Sequence, residues 1–200
     1  MEAMDFFRMS EGSWLSQRTT HHLAMRRTEL GELEITTSIL EPDAPEVVEI
    51  CKMHEVAPAR AIGGLAVSWQ GSMAWDEKGT TQNGSTILVL VPDPDATREG
   101  QLLREQGYAE TAPVAGRYLV DDQDGLILLT DYATMNSVER FWFPNNTLRL
   151  RTSTVIGLSN TASFCVETRL DGSSAKAAKM PIDSIEYDTL PASYYSVLGW

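Results

Sequence analysis

Arg149 and Arg151, two residues apart, are the side chains of this 200-residue chain best placed to bind an anion. Strict alternation over Leu148–Ser153 predicts a β-strand that carries Arg149, Arg151 and Ser153 on one face and two leucines on the other. In one interpretation the leucines face a core and the arginines face water, and the segment alone favours this arrangement. In the other, the arginines point into a barrel. Two buried guanidinium groups would then need an anion, and they suit a ligand with two carboxylates.

Two glutamates could complete such a site. Glu139 shares its face of a predicted strand with Phe141 and Phe143. Beside aromatic rings it would act as a proton donor or accept hydrogen bonds from ligand N–H groups, although a solvated charge at the start of a strand is an equal alternative. Glu167 is the weaker candidate because it could as easily face water.

Tryptophans offer flat apolar surface near the predicted site. Trp69 and Trp75 share one face of a predicted strand, in alternation with small and polar residues. Such residues are usually core, but their common face also suits stacking against a conjugated ligand. Gly12-Ser13-Trp14 follows a short predicted helix and resembles the lipocalin Gly-X-Trp signature, in which the tryptophan closes the bottom of the barrel.

The elements that must position these side chains are mostly strands. We expect helices over residues 3–10, from Pro45 to before Pro58, and over residues 95–106. Short sequential strands joined by tight turns predict an all-β fold, either an up-and-down barrel or a sandwich. Residues 1–170 are expected to form a single domain and residues 171–200 a polar C-terminal extension.

Composition excludes several classes of function. The net charge of −12 argues against nucleic acid or an anionic membrane surface as a partner. No segment has the length of a membrane span or the pattern of a signal peptide, and the two cysteines have no redox or metal-site spacing, so a cytoplasmic protein with reduced thiols is expected. The sequence also offers no metal site, phosphate loop or nucleophile elbow.

Four groups of residues, taken together, resemble the S-type phycobiliprotein lyases, the CpcS/CpeS family. The order and spacing agree from about residue 4 to residue 167. The groups are Met4-Asp5-Phe6-Phe7, then Ser16-Gln17-Arg18-Thr19-Thr20-His21-His22, then Val67-Ser68-Trp69 through Met73-Ala74-Trp75-Asp76, and Glu139-Arg140-Phe141-Trp142-Phe143 to Leu148–Ser153.

The resemblance implies a lipocalin-like barrel, similar to fatty-acid-binding proteins. It would bind an open-chain tetrapyrrole, a bilin, without a covalent bond and deliver it to a cysteine of an apo-phycobiliprotein subunit, expected to be β-type, where a thioether forms. No permanent cofactor is implied, and phycocyanobilin or phycoerythrobilin would be the transferred ligand. The motifs place the propionates at Arg149 and Arg151 with Arg18 assisting, the pyrrole nitrogens at Glu139 and Glu167, and Trp69, Trp75 and Ser153 along the pocket.

Two other functions remain open at this point. A lipid or fatty-acid carrier of the same barrel class would need fewer arginines and would leave Glu139 without a purpose. A purely structural module would bind a protein partner and no small ligand. The sequence allows a homodimer, but no interface can be read from it.

Overall fold

The computed structural model describes residues 1–73, 82–105, 113–157 and 160–170. Trp75 and the predicted extension over residues 171–200 lie outside the described residues. Two α-helices, two short 3-10 helices (Leu23–Met25 and Pro58–Arg60) and ten strands make up the described part. In chain order, the helices and strands are α1 (Ala3–Ser10), β1 (Gly12–His22), β2 (Arg27–Leu40), α2 (Pro45–Met53), β3 (Gly63–Met73), β4 (Gln82–Pro92), β5 (Glu99–Arg104), β6 (Val114–Val120), β7 (Leu126–Asp131), β8 (Met135–Asn145), β9 (Leu148–Gly157) and β10 (Thr161–Arg169).

The ten strands form a closed antiparallel barrel in which each strand pairs with its neighbours in sequence. Strand β1 also pairs with β10, from Trp14 opposite Arg169 to His22 opposite Thr161. This pairing closes the sheet, so the described strands present no open edge, the usual template for aggregation. The predicted all-β, up-and-down barrel is therefore confirmed. Among the described residues, no helix has the length and apolar character needed to cross a membrane.

Helix α1 closes one end of the barrel. A capping box between Glu2 and Asp5 fixes its start, and Phe6 and Phe7 on its apolar face are 1% and 2% exposed. These rings pack against inward-facing residues from strands β3 to β7, among them Leu65, Leu90, Leu102, Tyr118 and Leu128. The helix thereby supplies the apolar floor of the interior.

The helix predicted over residues 95–106 is wrong, because β5 occupies Glu99–Arg104. This strand is buried on both sides: Leu102 belongs to the interior cluster, and Leu103 packs on the outside against Val47 and Ile50 of α2. A strand covered on both faces loses the alternation of apolar and polar residues that identifies strands in a sequence. The helix predicted to begin near Pro45 is present as α2.

Trp14 lies at the closed end of the barrel, where the Gly-X-Trp pattern predicted it. Its ring is 0% exposed, and its Nε1 donates a hydrogen bond of 2.8 Å to the carbonyl of Ser10 at the end of α1. The guanidinium groups of Arg169 and Arg149 lie 4.2 and 4.7 Å from the ring centroid. Trp14 therefore joins the helix to the barrel wall.

Replacing Trp14 by alanine should lower the free energy of unfolding by about 3–5 kcal/mol, because a large buried ring leaves a cavity that the barrel cannot fill. Chemical denaturation monitored by far-UV circular dichroism measures this change. Trp142→Ala, on the half-buried outer face of β8, is the matched control and should cost less than half as much. Equal decreases in the free energy of unfolding for the two variants would show that Trp14 does not anchor α1.

Candidate functional site

The barrel contains a cavity of about 340 Å³, a size typical of small-molecule sites. Its apolar lining comes from the two phenylalanines of α1 and from inward-facing residues of five strands, namely Leu33, Ile35, Leu65, Val67, Trp69, Leu88, Leu126, Leu128 and Phe141. The polar lining includes Ser10, Thr37 and Thr86. Apolar walls with a few polar groups favour a ligand that is itself mostly apolar.

The charges that line the cavity have the opposite sign to the chain as a whole. Four arginines and two glutamates line it, a formal excess of two positive charges, whereas the chain carries −12. The arginines are Arg18, Arg104, Arg149 and Arg151, and the glutamates are Glu139 and Glu167. Buried cations in excess are costly unless an anion joins them, so the interior is suited to a ligand with negative charge.

Arg149 and Glu167 form a fully buried ion pair. They face each other in the register of β9 and β10, and their side chains are 6% and 0% exposed. Arg149 donates from Nε to Glu167 Oε2 at 2.5 Å, and the hydroxyl of Ser16 donates to Oε1 at 3.3 Å. Burial lowers the pKa of Arg149 and the charge of Glu167 opposes this, but an arginine stays protonated at neutral pH.

The two terminal nitrogens of Arg149 donate to no group in the described part of the chain. Glu167 thus fixes the side chain through Nε alone and leaves the end of the guanidinium group available. A planar pair of N–H donors held in this way can bind a carboxylate with two hydrogen bonds.

Three hydrogen bonds to two side chains hold Arg151. Its Nη1 donates to Glu139 Oε1 at 3.4 Å, and its Nε and Nη2 donate to the sulfur of Cys165 at 3.3 and 3.2 Å. Burial acts to lower the pKa of Arg151, but attraction to Cys165, Glu167 and Glu139 outweighs it and raises the pKa. The Phe141 ring lies 5.4 Å away. Arg151 therefore orients Glu139, whose side chain is 21% exposed and borders the cavity.

Trp69 forms part of the wall because its neighbour is a glycine. In the register of β3 and β4, Trp69 lies opposite Gly84, and a Cβ at Gly84 would come within 2.4 Å of the indole ring. The ring can therefore lie flat over the β4 backbone. A flat indole on the wall of the cavity offers a surface on which a conjugated ligand could stack.

Six of the eight predicted site residues line one cavity: Arg18, Trp69, Glu139, Arg149, Arg151 and Glu167. The inward orientation of the arginines settles the choice between interior and solvent that the sequence left open. Ser153 shares the face of Arg149 and Arg151 and lies opposite Glu139, but it is beyond the residues that line the cavity. Trp75 is outside the described residues.

Sequence reasoning missed Arg104, the last residue of β5, which also lines the cavity. The signal that could have found it is its spacing of two residues from the buried Leu102, but this segment was predicted as a helix. Within the described ranges, no three His, Cys, Asp or Glu side chains are grouped as metal ligands would be.

Replacing Glu167 by glutamine should lower the free energy of unfolding by about 3–5 kcal/mol, because Arg149 would remain charged and buried without its partner. The double variant Arg149→Met/Glu167→Leu should recover most of this loss, since it removes both charges. Asp93→Asn is the matched control: it breaks the exposed ion pair of Asp93 with Arg117 and should cost less than about 1 kcal/mol. A loss from Glu167→Gln as small as that of the control would contradict a desolvated pair.

The comparisons with known proteins agree with this architecture. The model of the family described as CpeS-like protein matches residues 2–170. Chromophore lyase CpcS/CpeS 2 of Trichodesmium erythraeum is 48% identical, with 100% of both chains covered, and Chromophore lyase CpcS/CpeS 2 of Synechocystis is 52% identical over 85% of this chain and 90% of that protein. Phycocyanobilin lyase subunit CpcS of Picosynechococcus is 46% identical over 100% of this chain and 98% of that protein.

A solved structure shares the fold as well as the sequence pattern. The S-type phycobiliprotein lyase CpeS from Guillardia theta superposes with a TM-score of 0.76 and 32% identity, over 86% of this chain and 94% of the other. The chain therefore belongs to the CpeS-like family, as its sequence motifs predicted.

Proposed function

We propose that this chain is a phycobiliprotein chromophore lyase that binds a bilin inside the barrel and delivers it to a cysteine of an apo-phycobiliprotein subunit. The observation that carries the proposal is the excess of two positive charges lining a mostly apolar cavity. A bilin is a long conjugated molecule with two propionates, so its charge matches this excess and its conjugated body suits the apolar walls. The names of the relatives, chromophore lyase and phycocyanobilin lyase subunit, support the same activity.

The residues around the cavity have separate parts in this proposal. The free end of Arg149 binds one propionate, with Arg151 and Arg18 adding positive charge nearby. The carboxylate of Glu139, oriented by Arg151, accepts the pyrrole N–H groups, and Glu167 acts by holding Arg149. Trp69 stacks on the conjugated system.

The chemical step needs little from the lyase itself. The partner's thiol adds across a carbon–carbon double bond of the bilin: the sulfur bonds to one carbon, the proton ends on the bilin, and no oxidant or reductant is consumed. The barrel contributes by holding the bilin in one orientation and by excluding water from its reactive carbons. Glu139 is the group placed to hold or exchange a proton with the pyrrole nitrogens.

The proposal also includes the transferred bilin, the acceptor subunit and the cellular compartment. Phycocyanobilin or phycoerythrobilin is the transferred ligand, and a β-type subunit is the acceptor. The chain would act where phycobiliproteins mature, in the cytosol of a cyanobacterium or in an algal plastid stroma.

Purified protein mixed with phycocyanobilin or phycoerythrobilin should change the visible spectrum of at least one of them, and the complex should transfer that bilin to an apo-subunit. Arg149→Met/Glu167→Leu should weaken bilin binding by at least about tenfold, because it removes the free N–H pair without leaving a buried charge. The dissociation constants come from absorbance titration. Unchanged spectra for both bilins, or unchanged affinity in the double variant, would rule out this mode of binding.

Glu139→Gln should slow transfer to the acceptor by at least about tenfold while weakening bilin binding less, because glutamine keeps the shape but cannot take a proton. Single-turnover transfer, followed by bilin fluorescence on the acceptor, measures the rate. Glu46→Gln, exposed on α2, makes the same chemical change away from the cavity and should leave the rate at the wild-type value. Equal rates for the two variants would remove Glu139 from the reaction.

A further inference from the structure

Arg104 extends into the barrel from the wall that faces the Arg149–Glu167 pair. It is the last residue of β5, and Leu102, two residues earlier, belongs to the interior cluster. In the ring of ten strands β5 stands opposite β10, the strand of Glu167. Arg104 therefore borders the cavity from the opposite side, toward the end away from α1.

The arginines that line the cavity outnumber its glutamates by two, but the two arginines of β9 do not account for this difference. Arg149 pairs with Glu167, and Arg151 pairs with Glu139, so these four charges balance. Arg104, in contrast, has no carboxylate within ion-pair distance among the described residues. Its Nη1 donates to the hydroxyl of Tyr132 at 3.4 Å.

The Nε of Arg104 is a buried donor without a hydrogen-bond acceptor among the described residues. A buried donor left unpaired is costly, and more so when it carries charge. A protein tolerates this cost where a ligand supplies the missing acceptor, and the acceptor that best matches a guanidinium group is a carboxylate. The hydroxyl of Tyr132 can accept from Arg104 and donate its own proton to the same carboxylate.

We propose that Arg104 is a further ligand-binding residue that holds one carboxylate of the bound molecule on the β5 wall. The proposal rests on the proposed function, in which that carboxylate is a bilin propionate. Arg149 and Arg104 then bind the two propionates from different walls, which fixes the bilin's orientation and not only its charge.

The test uses phycocyanobilin and its dimethyl ester, which has the same conjugated body without carboxylates. Dissociation constants are measured by absorbance titration for the wild-type protein, for Arg104→Gln and for Arg60→Gln, an exposed arginine outside the barrel. Arg104→Gln should weaken binding of the acid by at least about tenfold and binding of the ester by less than about threefold. Arg60→Gln should match the wild-type protein for both ligands.

If Arg104→Gln weakens binding of the acid and the ester equally, or weakens neither, this role of Arg104 is overturned while the proposed function stays intact. A wild-type protein that binds neither the acid nor phycoerythrobilin would overturn the proposed function and this inference with it. Should Arg104→Gln fail to fold, Arg104→Lys provides the same comparison, because lysine keeps the charge but loses the planar fork. The ratio of the ester's dissociation constant to the acid's should be smaller for Arg104→Lys than for the wild-type protein. An unchanged ratio would contradict the proposal.

Discussion

The buried ion pair of Arg149 with Glu167 is the constraint on which the interior of this barrel depends. Two charges removed from water are tolerable only when they pair closely and when hydrogen bonds satisfy the carboxylate. Glu167 meets this condition through β9 on one side and through Ser16 of β1 on the other, so it ties together three strands where the first and last strands close the barrel. The interaction that satisfies the charges therefore also holds one end of Arg149 and leaves the other end free.

The surface and the interior of the barrel differ in the sign of their charge. The chain as a whole is strongly acidic, while the cavity is lined by more arginines than glutamates. A ligand with two negative charges would neutralise this excess, whereas a fatty acid with one would neutralise half of it. The apolar floor provided by α1 and the indole of Trp69 then suits a conjugated body between the charged ends. These properties support the proposal that the ligand is a conjugated dicarboxylate such as a bilin.

Strict alternation in strands with one face in water predicted an all-β fold but left a barrel and a sandwich open. The family resemblance added the closed barrel and the candidate site residues. Alternation placed Arg149 and Arg151 on one face but could not say which face was inside. That choice depends on the register with β10, where Glu167 and Cys165 lie opposite them, and on barrel closure. Strand β5 was predicted as a helix because α2 covers its outer face and removes the alternation of apolar and polar residues. Arg104, its last residue, was missed for the same reason. The motif resemblance predicted a bilin as the ligand, which the alternation pattern by itself did not.

We propose that the bilin lies inside the barrel, between the walls formed by β9 and β5. A crystal structure of the protein with phycocyanobilin bound tests this most directly. We expect a tetrapyrrole in the cavity with one propionate on the terminal nitrogens of Arg149, its pyrrole nitrogens on Glu139 and its rings against Trp69. A bilin bound on the outer surface, or inside with both propionates directed away from the arginines, would contradict it.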